Sequence, residues 1–165
     1  MIRFLVVVFV GMTSAVQAQN IVFDISGTET CLAQAFVPKA RSLCVGVSSQ
    51  ACMNANSLGG TTVGMGGCLD RERQYWDDRL NTAYRALRAR EKSDDAANAG
   101  FAGHVSKANA LRDMQRAWIT FRDATCDYER AQWGGGTGGG PATLGCLMQL
   151  TGVQALYLEQ RLAGF

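Results

Sequence analysis

The stretch of sequence that decides the fold is residues 115–126, QRAWITFRDATC. At helical periodicity, this segment and the residues just before it place five side chains on one stripe: Leu111, Gln115, Trp118, Arg122 and Cys126. The leucine and the tryptophan identify the stripe as the inward face of a helix, on which a thiol and a guanidinium both need partners. We expect the cysteine to pair with Cys146 and the arginine with the acid of Glu72.

The first residues are typical of a secretory signal peptide. Arg3 supplies a positive start, residues 4–12 form an apolar core, and the segment VQA at residues 16–18 offers a cleavage site. The apolar core is shorter than the roughly 20 residues of a membrane span. We therefore predict a signal peptide over residues 1–18 and an exported single domain over residues 19–165, periplasmic in a two-membrane bacterium and secreted otherwise. An uncleaved N-terminal anchor is the alternative.

Composition argues against polyanionic partners. The whole chain has a net charge of +2, and removal of Arg3 with the leader lowers it by one. A nucleic-acid-binding domain would need a clustered basic face, and a protein steered to acidic membranes would need a larger excess of cations. We therefore expect no nucleic-acid partner. We also expect no transmembrane segment in the mature chain.

All six cysteines follow the predicted leader, and an even number in an exported domain indicates disulfides. Spacing favours three pairs: Cys44 with Cys52 across a short loop, Cys126 with Cys146 across a glycine-rich loop, and the remaining Cys31 with Cys68. No C-x-x-C motif is present, and His104 is the only histidine. We therefore predict no metal site and no cofactor.

Helical patterns dominate the rest of the chain. A first helix is predicted over residues 27–40, ending near Pro38, and a second over about 61–92 after a Thr61 or Thr62 cap. Two more helices are predicted over residues 105–132 and 142–162. The predicted connections are residues 43–60, 93–103 and 134–140. The pattern predicts an all-α fold, a small disulfide-stapled antiparallel bundle of three to four helices.

The second predicted helix has its own inward stripe. Steps of three and four residues connect Met65, Leu69, Glu72, Trp76, Leu80, Ala83 and Leu87. Arg85, Arg88, Arg90 and Lys92 gather near its predicted end, where cations complement the helix dipole. Because an isolated buried charge is costly, we expect Glu72 to pair with Arg122. This pair either fixes helix register or forms a polar site at the mouth of the bundle.

Enzyme signatures are weak in this sequence. The GGGTGGG run at residues 134–140 lacks the lysine of a phosphate-binding loop. The pairs Asp77–Asp78 and Asp123–Asp127 each lie on one helix, so they do not face each other across a cleft as glycoside hydrolysis requires. We expect His104 to have a solvated or capping role. The sequence therefore predicts no catalytic residues.

Several motifs together resemble the lysozyme-inhibitor LprI-like domain family, over about residues 31–162. They are CLDRE at 68–72, WD at 76–77, LN at 80–81, Tyr84, Leu87, QRAW at 115–118, FRD at 121–123, Cys126, GGG at 134–136 and CLMQLT at 146–151. The resemblance implies an exported, all-helical, disulfide-bonded protein that in some members inhibits lysozyme. It singles out nine residues as a family motif, with a structural role as the favoured interpretation: Glu72, Trp76, Asp77, Asn81, Tyr84, Gln115, Trp118, Arg122 and Asp123.

This chain departs from the family pattern in two places. Family members commonly carry an arginine three residues after the closing threonine, whereas here Thr151 is followed by Gln154. The loop between Cys44 and Cys52 is an addition to the minimal pattern and is a candidate for partner specificity.

Two classes of function follow from these observations. The first is a non-catalytic binding protein that blocks a lysozyme or an endogenous muramidase by inserting a loop into its carboxylate-lined cleft. Candidate contact residues are Gly134, Gly136, Thr137 and Gly140 in one loop, Ser48 and Ser49 in the other, and the flanking cations Arg41 and Arg130. The second is an exported structural or envelope-interaction module without lysozyme contact.

Overall fold

A computed structural model describes residues 21–164, and the predicted signal peptide lies outside them. The described residues contain helices and no strand. The helices are α1 (Ser26–Gln34), α2 (Pro38–Ser42), α3 (Val47–Ala55), α4 (Thr62–Asn98), α5 (Lys107–Ala131) and α6 (Gly139–Leu162). The predicted all-α bundle is therefore confirmed, with three long helices, α4, α5 and α6, and three short ones that precede them.

Three long helices form the body of the bundle. α4 and α6 run side by side in the same direction, with Trp76 packed near Gly152 and Arg90 bonded to the carbonyl of Leu162. α5 runs antiparallel to both, since its end is joined to the start of α6. The short helices cover one end: α3 packs on α4, α1 on α3, and α2 on α6.

The core lies mainly between α4 and α6. Of the stripe predicted on α4, Glu72, Trp76, Leu80, Ala83 and Leu87 are buried, and Met65 and Leu69 are half-buried. From α6, Met148, Ala155 and Leu158 complete the same cluster. A Cβ at Gly152 would lie 2.7 Å from Val45 and 3.1 Å from Trp76, so only glycine lets α6 approach the indole so closely.

The N-terminal third differs most from the sequence prediction. The predicted first helix ends at Gln34, and Pro38 begins α2 because its fixed φ suits the first turn of a helix. The predicted loop over residues 43–60 contains α3, whose N-cap is Gly46. Gly46 has no side chain that could accept a capping hydrogen bond, so the usual Ser, Thr, Asp or Asn at an N-cap is missing and the local pattern did not predict α3.

Two of the three predicted disulfides are wrong. The structure joins Cys31 to Cys44, Cys52 to Cys68, and Cys126 to Cys146, with Cα–Cα distances of 5.6, 5.7 and 5.4 Å. Only the last pair was predicted. α3 separates Cys44 from Cys52, since a helix advances about 1.5 Å per residue, and turns Cys52 toward α4 instead.

The long helices match their predicted positions with shifted ends. The predicted Thr61 cap is confirmed, because its side chain accepts a hydrogen bond from the N–H of Gly64 at 3.0 Å. α4 extends beyond residue 92 to Asn98, and α5 begins at Lys107 after the N-cap Ser106. Among the described helices, none combines the length and apolar character needed to cross a membrane.

Candidate functional site

The connection between α5 and α6 forms an exposed hairpin tip, defined here as residues 128–138. Two large aromatic side chains point to solvent, Tyr128 with 65% and Trp133 with 52% of its surface exposed. Arg130 is exposed in the last turn of α5. The Cys126–Cys146 disulfide closes the base of this hairpin. The tip therefore combines aromatic and cationic groups on a stapled support.

Glycines give the hairpin tip its shape. Gly134 and Gly135 have φ values of 53° and 89°, which residues with a Cβ rarely adopt. The Trp133 ring lies over Gly138, where a Cβ would overlap the indole. Glycine at this position thus allows the exposed indole to rest against the backbone.

The four predicted contact residues of this loop differ in their exposure to solvent. Gly134, Gly136 and Thr137 are exposed, as a contact loop requires, whereas Gly140 is half-buried in the first turn of α6. The backbone N–H groups of Gly135 and Thr137 donate to no backbone carbonyl among the described residues. The turn therefore presents unused backbone donors to solvent.

The second predicted contact loop is not a loop. Ser48 and Ser49 lie in α3 with 1% of their surface exposed, and Ser48 exchanges two hydrogen bonds with Thr28, at 2.9 and 3.1 Å. Arg41 lies in α2 and forms an ion pair with Glu159 of α6 at 3.5 Å. These residues hold the N-terminal helices to the bundle, so the serines are not available to a partner.

The predicted ion pair between Glu72 and Arg122 is wrong. Glu72 is fully buried, and its carboxylate accepts four hydrogen bonds. The donors are Thr28 Oγ1 at 3.0 Å, Gly46 N at 2.7 Å, Ser49 N at 2.6 Å and Trp76 Nε1 at 3.1 Å. Because Gly46 and Ser49 lie at the N-terminus of α3, the carboxylate caps that helix from α4. Donors and a helix terminus thus replace the expected guanidinium.

Arg122 instead faces the space between α4 and α5. It bonds to the neighbouring Asp123 at 2.8 Å, and its guanidinium carbon lies 5.0 Å from the centre of the Trp118 ring. Both contacts are within α5. Arg122 therefore belongs to the surface of the bundle, half-buried and supported by its own helix.

A groove of about 440 Å³ lies between α4 and α5, and we call it the arginine groove. Six of the nine family-motif residues line it: Asp77, Asn81, Tyr84, Gln115, Trp118 and Arg122. Asp123 binds Arg122 beside it, and Glu72 and Trp76 lie in the separate α3 cap. The structure thus brings most of the motif together at one place, which the stripes alone did not predict.

Gln154 takes the place at which the resemblance implies an arginine. Its amide donates to Gln115 Oε1 at 3.0 Å and reaches Met114 Sδ at 3.5 Å. Gln115 in turn lines the arginine groove. Gln154 is uncharged, and its hydrogen bond fixes the orientation of one polar side chain of the groove.

The sequence analysis did not identify several residues of the hairpin tip and of the arginine groove. Trp133 and Tyr128 were not identified as exposed, although an aromatic residue directly before a glycine run is a usable signal. Arg88 was assigned to a helix end, but α4 continues past it, so Arg88 lines the arginine groove with Arg112 and Arg116. Within the described part of the chain, no group of three His, Cys, Asp or Glu side chains could hold a metal ion.

Comparison with known proteins gives the chain its family. The family profile described as "Lysozyme inhibitor LprI" matches residues 52–158. An "Uncharacterized 17.7 kDa protein in puhA 5'region" of Rhodobacter capsulatus is 31% identical over 139 residues, covering 83% of this chain and 85% of that protein. The "Uncharacterized protein R02472" of Rhizobium meliloti is 32% identical over 97 residues, covering 56% of this chain and 68% of that protein. No solved structure matches. Since the profile spans α4, α5 and most of α6, the chain belongs to the lysozyme inhibitor LprI family.

Proposed function

We propose that this protein is a non-catalytic inhibitor of a muramidase and that the hairpin tip is its inhibitory element. The family description names lysozyme as the inhibited enzyme. The observation that supports the tip is the exposure of Trp133 and Tyr128 at the end of a disulfide-closed hairpin. Large exposed aromatic side chains are characteristic of contact surfaces, and Trp133 keeps about half of its surface free although one face of its ring rests on Gly138.

The composition of the hairpin tip suits a protein interface. Tryptophan, tyrosine and arginine are the residue types that most often dominate binding energy, and Trp133, Tyr128 and Arg130 supply one of each. The disulfide and the two helices restrict the tip before binding, which lowers the entropy lost on association. The tip is therefore built to bind without a large ordering cost.

The cleft of a muramidase offers chemistry that the tip can meet. Such enzymes place two carboxyl groups on either side of the scissile bond. The exposed N–H groups of Gly135 and Thr137 and the guanidinium of Arg130 can donate hydrogen bonds to these carboxyl groups. Blocking the cleft in this way needs no catalytic group on the inhibitor.

Export is part of this proposal. Three disulfides in a chain of this size are typical of an oxidising compartment. Together with the leader-like residues 1–18, they support delivery to the periplasm or the medium, where wall-cleaving enzymes act. Mass spectrometry of the protein recovered from the exported fraction tests this point, with cleavage after residue 18 as the expected result.

The decisive experiment is lysis of a peptidoglycan suspension by chicken-type lysozyme in the presence of the oxidised protein. We expect dose-dependent protection by the wild type. Trp133→Ala should raise the half-inhibitory concentration about 30-fold, as expected when a dominant interface side chain is removed. Phe36→Ala is the matched control, because Phe36 is an aromatic residue with 90% exposure that lies beside the C-terminal end of α6, whereas the hairpin tip adjoins its start.

Two outcomes would contradict the proposal. If W133A protects as well as the wild type, the hairpin tip is not the inhibitory element. If a large excess of wild-type protein gives no protection against this lysozyme or against wall-cleaving enzymes of the producing cell, the exported envelope module becomes the better interpretation.

A further inference from the structure

The arginine groove carries more positive charge than its surroundings neutralise. Arg88 of α4 and Arg112, Arg116 and Arg122 of α5 all line it, whereas Asp77 is the only carboxylate among the lining residues. Its volume of about 440 Å³ lies in the range of small-ligand sites. The charge and the size both suit a small anionic molecule.

Two of these arginines already have partners. Arg112 binds Asp113 through Nε at 2.8 Å and Nη2 at 3.1 Å, which raises the pKa of Arg112 and lowers that of Asp113. Arg122 binds Asp123 at 2.7 Å. Each acid directly follows its arginine in α5 and is exposed. These two guanidiniums are therefore largely neutralised at the rim.

The other two arginines form no such hydrogen-bonded pair, although the charge of Arg116 also helps to lower the pKa of Asp113. Among the described residues, neither Arg88 nor Arg116 has a carboxylate within ion-pair distance. The Nε of Arg88 is buried, and no atom of the described chain accepts its hydrogen bond. A buried donor left unsatisfied is unfavourable, and a guanidinium matches the two oxygens of a carboxylate. Arg88 thus marks where a bound anion would be stabilised most.

The remaining walls indicate what else the ligand carries. Tyr84 and Trp118 supply aromatic surface, and Asn81 and Gln115 supply amide groups. The Asn81 amide is held by Asp77 at 2.9 Å, and Gln115 is held by Gln154 at 3.0 Å. Aromatic surface beside oriented amides is suited to a ring that bears hydroxyl or acetamido groups.

We infer that the arginine groove binds a small carboxylated sugar, with the carboxylate on Arg88 and Arg116 and the ring against the aromatic and amide side chains. This site is separate from the hairpin tip. Its ligand binding therefore does not depend on muramidase inhibition, and the two proposals fail independently.

Isothermal titration of the full oxidised protein tests the inference with two sugars that differ by one carboxylate. N-acetylmuramic acid should bind, and N-acetylglucosamine, which lacks the lactyl carboxylate, should bind at least about tenfold more weakly, as the loss of a charged hydrogen bond requires. Inorganic phosphate serves as the bare anion and should also bind at least about tenfold more weakly than N-acetylmuramic acid. In ¹H–¹⁵N spectra, the Nε–H signal of Arg88 should shift with the acid sugar.

Variants locate the site. Arg88→Gln and the exposed Arg116→Gln should each weaken binding of N-acetylmuramic acid about tenfold or more, and R116Q keeps the test valid if R88Q does not fold. Arg85→Gln is the matched control, because Arg85 is an exposed arginine of α4 outside the groove. Equal binding of both sugars, equal binding of phosphate, or unchanged binding by R116Q would each overturn the inference.

Discussion

At the scale of single residues, Glu72 shows how this protein stabilises a buried charge without a counter-ion. Its carboxylate is fully buried, yet every hydrogen bond it accepts comes from a neutral donor. Two of those donors are N–H groups at the start of α3, where the helix dipole also favours negative charge. The same carboxylate therefore joins the N-terminal helices to α4.

Replacing this carboxylate should destabilise the fold strongly. Glu72→Gln turns one acceptor oxygen into an NH₂ donor that faces N–H groups, and we expect a loss of about 3 kcal/mol in the free energy of unfolding. Arg122→Ala should cost about 1 kcal/mol or less, because Arg122 binds only an exposed acid and the face of Trp118. Urea unfolding at neutral pH measures both. A loss for R122A as large as that for E72Q would contradict the surface role of Arg122, and a double variant that loses less than the sum of the two would show that Glu72 and Arg122 interact.

At the scale of the helices, α4 supplies a carboxylate to the N-terminus of two other helices. Glu72 caps α3, and Asp95 caps α5. Asp95 accepts hydrogen bonds from Ser106 Oγ at 2.7 Å, Lys107 N at 2.8 Å and Ala108 N at 3.0 Å. α4 thus fixes where its neighbours begin, in addition to providing the core stripe.

The cap at Asp95 should make stability depend on pH in the acid range. The Ser106 hydroxyl, the N–H groups of Ala108 and Lys107, and nearby His104 hold the pKa of Asp95 below its ordinary value. A carboxyl with a lowered pKa stabilises the folded state above its unfolded pKa of about 3.9 and loses that contribution as the pH falls further. Asp95→Asn should therefore lower the Tm at pH 7, with a difference from wild type that shrinks below about pH 4.

Asp78→Asn is the matched control for that experiment, because Asp78 is an exposed acid of α4. It should leave the Tm close to that of the wild type at every pH. A Tm difference between D95N and wild type that stays constant from pH 7 to pH 3 would show that the charge of Asp95 does not act through the α5 cap.

At the scale of the whole molecule, the three disulfides connect neighbouring elements in sequence. They join α1 to the segment after α2, α3 to α4, and α5 to α6. Each closes a short stretch of chain, with sequence separations of 13, 16 and 20. The bundle is therefore stapled at successive connections, whereas α4 and α6 are held together without a disulfide, by packing, by the Arg79–Glu159 ion pair and by hydrogen bonds from Arg90.

Comparing two variants, each lacking a different disulfide, should distinguish an effect on stability from an effect on inhibition. Replacing Cys126 and Cys146 by alanine, or Cys52 and Cys68 by alanine, should lower the free energy of unfolding by about 3 kcal/mol in each case, since the closed loops are of similar length. Only C126A/C146A should also weaken lysozyme inhibition, because it releases the base of the hairpin tip. Urea unfolding measures the loss of stability, and the lysis assay measures inhibition, both at a temperature at which the two variants are still folded. Equal inhibition by both variants would remove rigidity of the tip from the proposal.

The arginine groove shows what helical periodicity within single helices cannot predict. Spacing within α4 and α5 correctly placed Gln115 and Trp118 on the inner side of their helix, and the motif residues were recognised by resemblance. The way in which two helices cross then decides whether Arg88 and Arg116 share a space, and no local pattern contains that information. The groove could therefore not be predicted before the helices were packed.

The sequence by itself determined the helical class, the long helices, the stripe buried on α4, the disulfide across the glycine run and the family. These features follow from periodicity and from partners close along the chain, which a single segment encodes. Only the tertiary structure decided that α3 exists, that Glu72 binds its N-terminus, and that Cys52 pairs with Cys68. Gly46 and Ser49 lie 26 and 23 residues from Glu72 in sequence, so the groups that satisfy this helix terminus come together only when α4 packs against it.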